Sequence, residues 1–448
     1  MLLLLLASVI FYSFSGIFGL LILGALTVFN YYTGIWIEKS ENKNFPLSIA
    51  VILNIAVLFL FKFYNFFFTE VNSLFIIFEI SISFPMLQLI MPVGISYFIL
   101  QAIGYNVDIQ REMQSPERNF LVFANYFLFF PKALQGPVDR PRLLMPQFYE
   151  QKDFDYSRIT SGLRLVAWGL FKKLVIADRL GIFVNEVYGN LHDYSGPLLL
   201  LAGFFYTFQL YADFSGYMDM ALGVATILGF SMFRNFNKPF GATSVTDFWK
   251  RWHISLSTWL YEYVFNPVSL YKRNWGIWGM VFAVFITFLL SGLWHGASWI
   301  FILWGMLNGI ALGYEIVTAK WRKKIFKKFS KSTARNLSIA ITFTFTILSF
   351  TFARAATTGD AAYIFQNIFD FTDLSTWKDT GVGNFNLIFG SMGILLILIM
   401  HWWEKLPELN QAIAEMPIVW RWSFYCLAIV FMLQFGIISG SGFIYAQF

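Results

Sequence analysis

The sequence predicts an all-α, polytopic membrane protein, and three observations carry that prediction. Of 448 residues, 57% are hydrophobic and only 13% are charged, about half the charge of a soluble domain. A bilayer core takes about 20 apolar residues per helix, and about ten to twelve such runs follow one another, separated by short polar breaks. The basic residues sit in those breaks, so positive-inside topology explains the net charge of +6 and nucleic-acid binding is not expected. One integral-membrane domain over residues 1–448 is the expected organisation, with re-entrant or interfacial helices beside the spans.

The opening "MLLLLLASVIFYSFSG" lacks a basic leader and a small-residue cleavage site, so it reads as retained membrane helix. Apolar runs include 15–37, 47–69, 86–107, 196–212, 216–232, 275–293, 296–318, 336–353, 385–402 and 419–439. Pro92 and Gly94 imply a kink or break in the third. Cys426 stands alone in the last; it supports neither a disulfide framework nor a thiolate metal site and reads as a buried core thiol.

Two stretches, 129–164 and 233–267, are too polar to span a membrane and too aromatic to be plain loops. Irregular backbone at membrane depth is tolerated only where protein buries it or a wet cavity receives it. Both therefore read as re-entrant or interfacial elements lining an interior site.

Orientation follows from "AKWRKKIFKKFSKSTAR" at 319–335, which carries eight Lys or Arg and no acid and is expected in the cytoplasm. The acidic loop 354–381, with Asp360, Asp370, Asp373 and Asp379, is expected outside. The run 275–293 then climbs outward to "GLWHGAS", and His295 lies at or below the outer surface.

His295 is the sharpest chemical candidate. Gly292 and Gly296 flank it, so backbone can approach closely and the helix is free to break. An imidazole in a dry cavity has the proton affinity for general-base work near neutrality; the alternative is a structural histidine bonded between helices. In the second polar stretch Ser244 is placed to cap a helix with Asp247 three residues on. A helical projection there gathers Trp249, Trp252, Leu256, Trp259, Leu260 and Tyr263 in one stripe with His253 at its edge. His192 reads as a solvated loop residue and His401 as an interfacial group at a helix end. The four histidines show no metal-binding spacing, and neither a nucleophile elbow nor a phosphate loop is present. Gln209 and Asp213, like Ser215 and Asp219, are four apart on one helical face. Intramembrane acids of this kind are either functional or tie helices together.

Five motifs in order resemble the membrane-bound O-acyltransferase superfamily: "PVGISYFILQ" (92–101), "QGPVDRPRLLMPQ" (135–147), "QLYADFSGYMDMALG" (209–223), "FWKRWHISLSTW" (248–259) and "SGLWHGASW" (291–299). With the ending "FIYAQF" they cover nearly the whole chain, and the bacterial alginate O-acetyltransferase-like branch is the nearest in pattern. The resemblance implies a ring of tilted helices around a thinned centre, where an outer funnel and a cytoplasmic tunnel meet near a histidine. That residue matches His295, which the resemblance implies is catalytic; the second family histidine matches His253, implied to support catalysis by positioning substrate or His295. Through the same motifs Gln135, Arg140, Gln209, Asp213, Lys250, Arg251, Trp252 and Trp294 are substrate-binding candidates.

The chain departs from the branch at Tyr261, Glu262 and Tyr263, where Arg-Asp-Tyr is usual, and at Pro267 to Leu270, where Pro-Leu-Gly-Gly is usual. Asn308 replaces a common histidine and Met218 a common Ser or Thr. These changes lie toward the acceptor or partner, so alginate itself is not carried over. The chain also starts at what is normally the family's second membrane helix.

The implied chemistry needs no bound cofactor or metal. A cytoplasmic acyl thioester, acetyl-CoA or an acyl carrier, is the donor, and a hydroxyl reaching His295 from outside is the acceptor. Implied partners are the bilayer of a bacterial inner membrane, an exported acyltransferase and a polysaccharide. Two other functions fit less of the pattern: D-alanyl transfer from a carrier protein to teichoic acid, and transport along 207–219 with His295 as proton relay. Transport predicts inverted repeats, and the "GLWHGAS" break has no second copy.

Overall fold

The computed structural model describes residues 1–14, 16–194, 196–372, 382–402, 406–438 and 442–444, with backbone alone at 384 and 406–410. Every regular element among them is helical. Contacts group the chain into two compact units: Met1–Asp155 with Leu228–Phe233 and Leu293–Ser298, and Tyr156–Ile227 with Arg234–Gly292 and Trp299–Phe448.

The first unit contains α1 (Leu2–Ser13), α2 (Ile17–Lys39), α3 (Asn44–Leu58), α4 (Tyr64–Ile77), α5 (Ile95–Gln110), α6 (Phe120–Leu128) and the short α7 (Pro141–Leu144). A π turn at Phe59–Phe63 joins α3 to α4 in one 34-residue rod, Asn44–Ile77. Three buried amides tie this unit together. Asn54 donates to Asn30 Oδ1 at 2.9 Å and Asn106 donates to the same oxygen at 2.7 Å, linking α3 and α5 to α2. Interhelical amide bonds of this kind hold helices together where the apolar faces have no water to flee.

The second unit contains α8 (Tyr156–Phe171), α9 (Asp178–Gly189), α10 (Pro197–Ile227), α11 (Val245–Trp249), α12 (Ile254–Leu260), α13 (Asn266–Tyr271), α14 (Ile277–His295), α15 (Trp299–Phe326), α16 (Lys331–Arg354), α17 (Thr358–Asn367), α18 (Asn384–Trp402), α19 (Leu406–Glu415) and α20 (Ile418–Phe435). The last residues of α14 belong to the first unit. α10 is buried along most of its length, which makes it the central helix of this unit.

By length and composition eight helices among the described residues are able to cross a membrane: α2, the α3–α4 rod, α10, α14, α15, α16, α18 and α20. The chain is thus a multi-pass membrane protein. The expected runs 196–212 and 216–232 are one helix, α10, because Gly216 serves as a contact point and not as a breaker. A Cβ on Gly216 meets the Gly169 carbonyl oxygen at 2.8 Å, and one on Gly223 meets the Gly162 oxygen at 2.7 Å. Glycines seven apart on α8 and on α10 therefore let two antiparallel backbones touch. Gly169→Val, whose Cβ alone falls 2.5 Å from the Gly216 oxygen, is expected to cost about 1–3 kcal/mol. Thermal unfolding in detergent checks this, with Gly189→Ala, which meets nothing within 4 Å, as the neutral control.

The run 86–107 is helical only from Ile95, and residues 79–92 have no regular structure. The α3–α4 rod holds that segment by its backbone. Asn65 exchanges two bonds with Leu87 at 2.8 and 2.9 Å, and Asn72 does the same with Phe84 at 2.9 and 2.8 Å. Side-chain amides substitute for the helical ladder, so Pro92 and Gly94 end a non-helical approach and do not kink a helix.

Cys426 is exposed, not buried, because α20 has no buried residue and its apolar surface is of the kind that lipid covers. The basic block expected in one loop occupies the end of α15, a short turn and the start of α16. In the acidic loop, α17 is closed by a capping box between Thr357 and Asp360. Asp373, Asp379 and the final residues 445–448 of "FIYAQF" lie outside the described residues.

Candidate active site

α14 ends at His295, and α15 begins four residues later at Trp299. The break expected from the glycines is present. A Cβ on Gly292 falls 2.2 Å from the Phe301 carbonyl oxygen and 3.0 Å from Gly305 Cα, so α14 and α15 touch backbone to backbone just before the histidine. His295 is buried, and its ring meets the Trp294 indole edge-on at 5.0 Å. Trp294 in turn packs edge-on against Tyr97 at 5.1 Å and directs its indole N–H at the Ser96 carbonyl, 3.5 Å away.

A helix end leaves carbonyls without partners. Here a lysine takes two of them: the Lys62 ammonium donates to the carbonyl of Trp294 at 2.6 Å and of His295 at 3.3 Å. Lys62 projects from the π turn that interrupts the α3–α4 rod. It was not singled out from the sequence, although a lone Lys inside the apolar run 47–69 is a legible signal.

The helix that carries Ser96 and Tyr97 also holds the "QGPVDR" segment. Gln101 of α5 accepts a bond from Lys132 at 3.1 Å and donates to the Pro137 carbonyl at 3.4 Å. Lys132 sits 4.1 Å above the Tyr126 ring, whose hydroxyl donates to the Asp139 carbonyl at 2.6 Å. The Asp139 carboxylate accepts from the Phe233 amide at 3.0 Å. Burial pushes Asp139 up to about 6 and Lys132 down to about 8, and the opposite charge of each resists the other's shift. Gln135 and Arg140 are both buried in this segment. The first part of the expected re-entrant stretch, 129–148, is therefore a run of short turns and helices held by polar contacts to Gln101, Tyr126 and Phe233, and the stretch ends inside α8.

In the second unit, the polar stretch is not one helix. α11 ends at Trp249, and His253 adopts a left-handed conformation with φ 46° before α12 starts. A non-glycine residue in that region costs on the order of 1–3 kcal/mol and persists only where its surroundings impose it. Here Asn235 does so, accepting from the Ile254 amide through its carbonyl and from the Ser255 amide through its side chain, both at 2.9 Å. The His253 ring is buried and packs edge-on against Phe214 at 4.8 Å. Trp249, Trp252, Leu256, Trp259 and Leu260 are buried as the stripe required and Tyr263 is half-buried, but Trp249 ends α11, Trp252 lies in the turn 250–253, and the others follow on α12 and beyond.

Ser244 caps α11 as expected, accepting from the Asp247 amide at 3.0 Å. The Glu315 carboxylate of α15 adds bonds from the Val245 and Thr246 amides at 2.8 and 3.0 Å, a contact between distant residues that periodicity cannot reveal. Of the candidates here, Trp252 is enclosed by Phe236, Phe248 and Phe350, Arg251 binds Asp247 at 2.8 Å, and Lys250 is exposed.

The intramembrane acids of α10 are paired. Lys173 lies 2.8 Å from Asp213 and 2.7 Å from Asp178, while Lys172 lies 2.7 Å from Asp219 and donates to Ser215 at 2.8 Å. Both lysines come from a π turn, Lys172–Ala177, between α8 and α9. Gln209 places its amide nitrogen at Gly181 of α9. His401 is a helix tie, bonded to the Tyr211 hydroxyl at 2.9 Å, and His192 is exposed beside Tyr363. Asn308 and Trp304 both bond the Ser349 hydroxyl, at 3.0 and 2.9 Å, and Met218 accepts from Asn235. No cluster of three metal-ligating side chains occurs among the described residues.

The site candidates thus divide: Gln135, Arg140, Trp294 and His295 in the first unit, and Gln209, Asp213, Lys250, Arg251, Trp252 and His253 in the second. Residues 10–356 match the family model described as MBOAT, membrane-bound O-acyltransferase family. The chain belongs to this family. The apolar helices and the bacterial relatives mark it as a multi-pass bacterial membrane protein. A probable alginate O-acetylase of Azotobacter vinelandii is similar to this O-acyltransferase family member at 36% identity over 318 residues, 70% of this chain and 63% of that protein. The peptidoglycan O-acetyltransferase of Helicobacter pylori is 33% identical over 388 residues, 79% of this chain and 70% of the relative. The teichoic acid D-alanyltransferase of Bacillus subtilis is 29% identical over 324 residues, 70% and 78% respectively. The match to the Azotobacter protein thus spans less than two thirds of that protein's length.

Proposed function

We propose that this protein moves an acetyl group from a cytoplasmic thioester to a hydroxyl on the outer side of a bacterial inner membrane, with His295 as general base. The observation that carries this is a buried imidazole at the broken end of α14, walled by Trp294 and capped by Lys62, in a member of an O-acyltransferase family. In this reading acetyl-CoA or an acyl carrier presents the thioester, and the acceptor hydroxyl approaches the imidazole. His295 removes the hydroxyl proton as the oxygen attacks the thioester carbonyl. The C–S bond then breaks, and the thiolate leaves with a proton returned by the imidazolium. Proton transfer of this kind is worth about 10²–10⁴ in rate.

Acetyl is favoured over D-alanyl because relatives named for acetyl transfer match at 36% and 33% identity, and the one named for D-alanyl transfer at 29%. A cell-envelope or extracellular polysaccharide is the proposed final acceptor, reached directly or through an exported acyltransferase. The basic residues from Lys320 to Arg335 favour a cytoplasmic position for that end of the protein, and the loop 354–381 is then outside.

The test is the ester content of envelope and secreted polysaccharides from a deletion strain, with and without the wild-type gene. Restoration of acetyl esters on one polymer is the expected result and identifies the acceptor. Restoration of D-alanyl esters in place of acetyl esters would overturn the choice of acyl group, and no change in any ester would overturn the reaction.

A further inference from the structure

We infer that Lys62 is the positioning residue of His295, a role that rests on the reading of His295 as general base. Four features of the first unit carry it. The Lys62 ammonium is bonded to the last two carbonyls of α14, those of Trp294 and His295 itself. These are groups that a helix end leaves unsatisfied, and they carry the negative pole of the helix. A cation with several N–H donors meets both needs at once.

The second feature is place. Lys62 lies inside the 34-residue apolar rod Asn44–Ile77, where a charge is costly unless it has a specific partner. The third is the π turn Phe59–Phe63, which inserts a residue into the helix just where the lysine leaves it. Such turns redirect a side chain and are frequent at functional sites. The fourth is that Lys62 also lies 5.7 Å from the centre of the Trp294 ring, which itself stands edge-on to the imidazole. One ammonium thus holds both the backbone that carries the imidazole and the indole that walls it. Without it, the end of α14 next to Gly296 loses its anchor, and the imidazole drifts from the line of attack. A misplacement of about 1 Å costs roughly 10²-fold in rate.

The test uses the full-length protein in native membranes, with wild type, Lys62→Met, Lys62→Arg and His295→Ala at equal abundance. The first readout needs no substrate: the rate at which diethyl pyrocarbonate modifies His295, read by mass spectrometry of its peptide. Lys62→Met is expected to raise that rate by about tenfold or more, as the loss of a charge-assisted bond opens the helix end, and Lys62→Arg to stay within about twofold. Equal rates in wild type and Lys62→Met would overturn the proposal. The second readout is transfer of label from radioactive acetyl-CoA into base-labile esters. Lys62→Met is expected to lower kcat about 10²-fold with an unchanged KM for acetyl-CoA, and Lys62→Arg to restore most of it. If His295→Ala transfers label at the wild-type rate, the general-base reading falls, while the modification rate still decides whether Lys62 positions His295. If His295→Ala is inactive and Lys62→Met keeps the wild-type kcat, the proposal alone falls.

Discussion

His295→Ala is expected to lower acyl transfer roughly 10²- to 10⁴-fold without lowering the amount of protein in the membrane. The two halves of that expectation have different causes. The rate falls because alanine offers no group that takes up a proton near neutrality in place of the imidazole. The abundance is expected to hold because Lys62 binds the carbonyl of residue 295, which alanine retains, so the helix end stays capped. His295→Gln, which keeps a polar side chain of similar reach but cannot take the proton, is expected to be as inactive as alanine. Ester acetyl content together with an immunoblot of the membrane fraction checks both halves. Full activity in His295→Gln would remove the imidazole from the chemistry.

The largest structural effect is expected at Lys173. Its ammonium lies between the carboxylates of Asp213 and Asp178, and the Ile444 amide donates to Asp213 at 2.9 Å. Lys173→Met removes the cation and leaves two acids with little water to solvate them. Breaking a buried ion pair from one side costs about 3–5 kcal/mol, a large share of a total stability of about 5–15 kcal/mol. The variant is expected to disappear from the membrane fraction or to unfold at a much lower temperature in detergent. Lys173→Met with Asp213→Asn, which removes one of the stranded charges, is expected to recover part of the loss. If Lys173→Met is as stable as wild type, the pair is not structural, and Asp213 is better explained as a substrate ligand.

The site was legible to unequal depth. His295 stands out because a titratable residue between glycines in an apolar run is expensive, and expense is visible in one dimension. Ser244 and Asp247 were legible for the same reason, since a cap is a local contact over three residues. The helix through His253 was misjudged because a stripe of tryptophans fits a continuous helix as well as a broken one. What breaks it is Asn235, eighteen residues earlier, which takes the amides of Ile254 and Ser255 and holds His253 in a left-handed turn.

The sequence by itself determined the solvent of this protein and its repeating local order. Apolar run length, the placement of basic residues and the five motifs depend on neighbours in the chain, so they survive without coordinates. Only the tertiary structure decided which polar residues are structural and which are available. Asp213 and Asp219 look alike on α10 until Lys173 and Lys172 are brought to them from the turn after α8. Lys62 looks like an isolated charge in the α3–α4 rod until the end of α14 is brought to it. A charge at membrane depth is paired through space, and its partner is chosen by helix packing and not by distance along the chain.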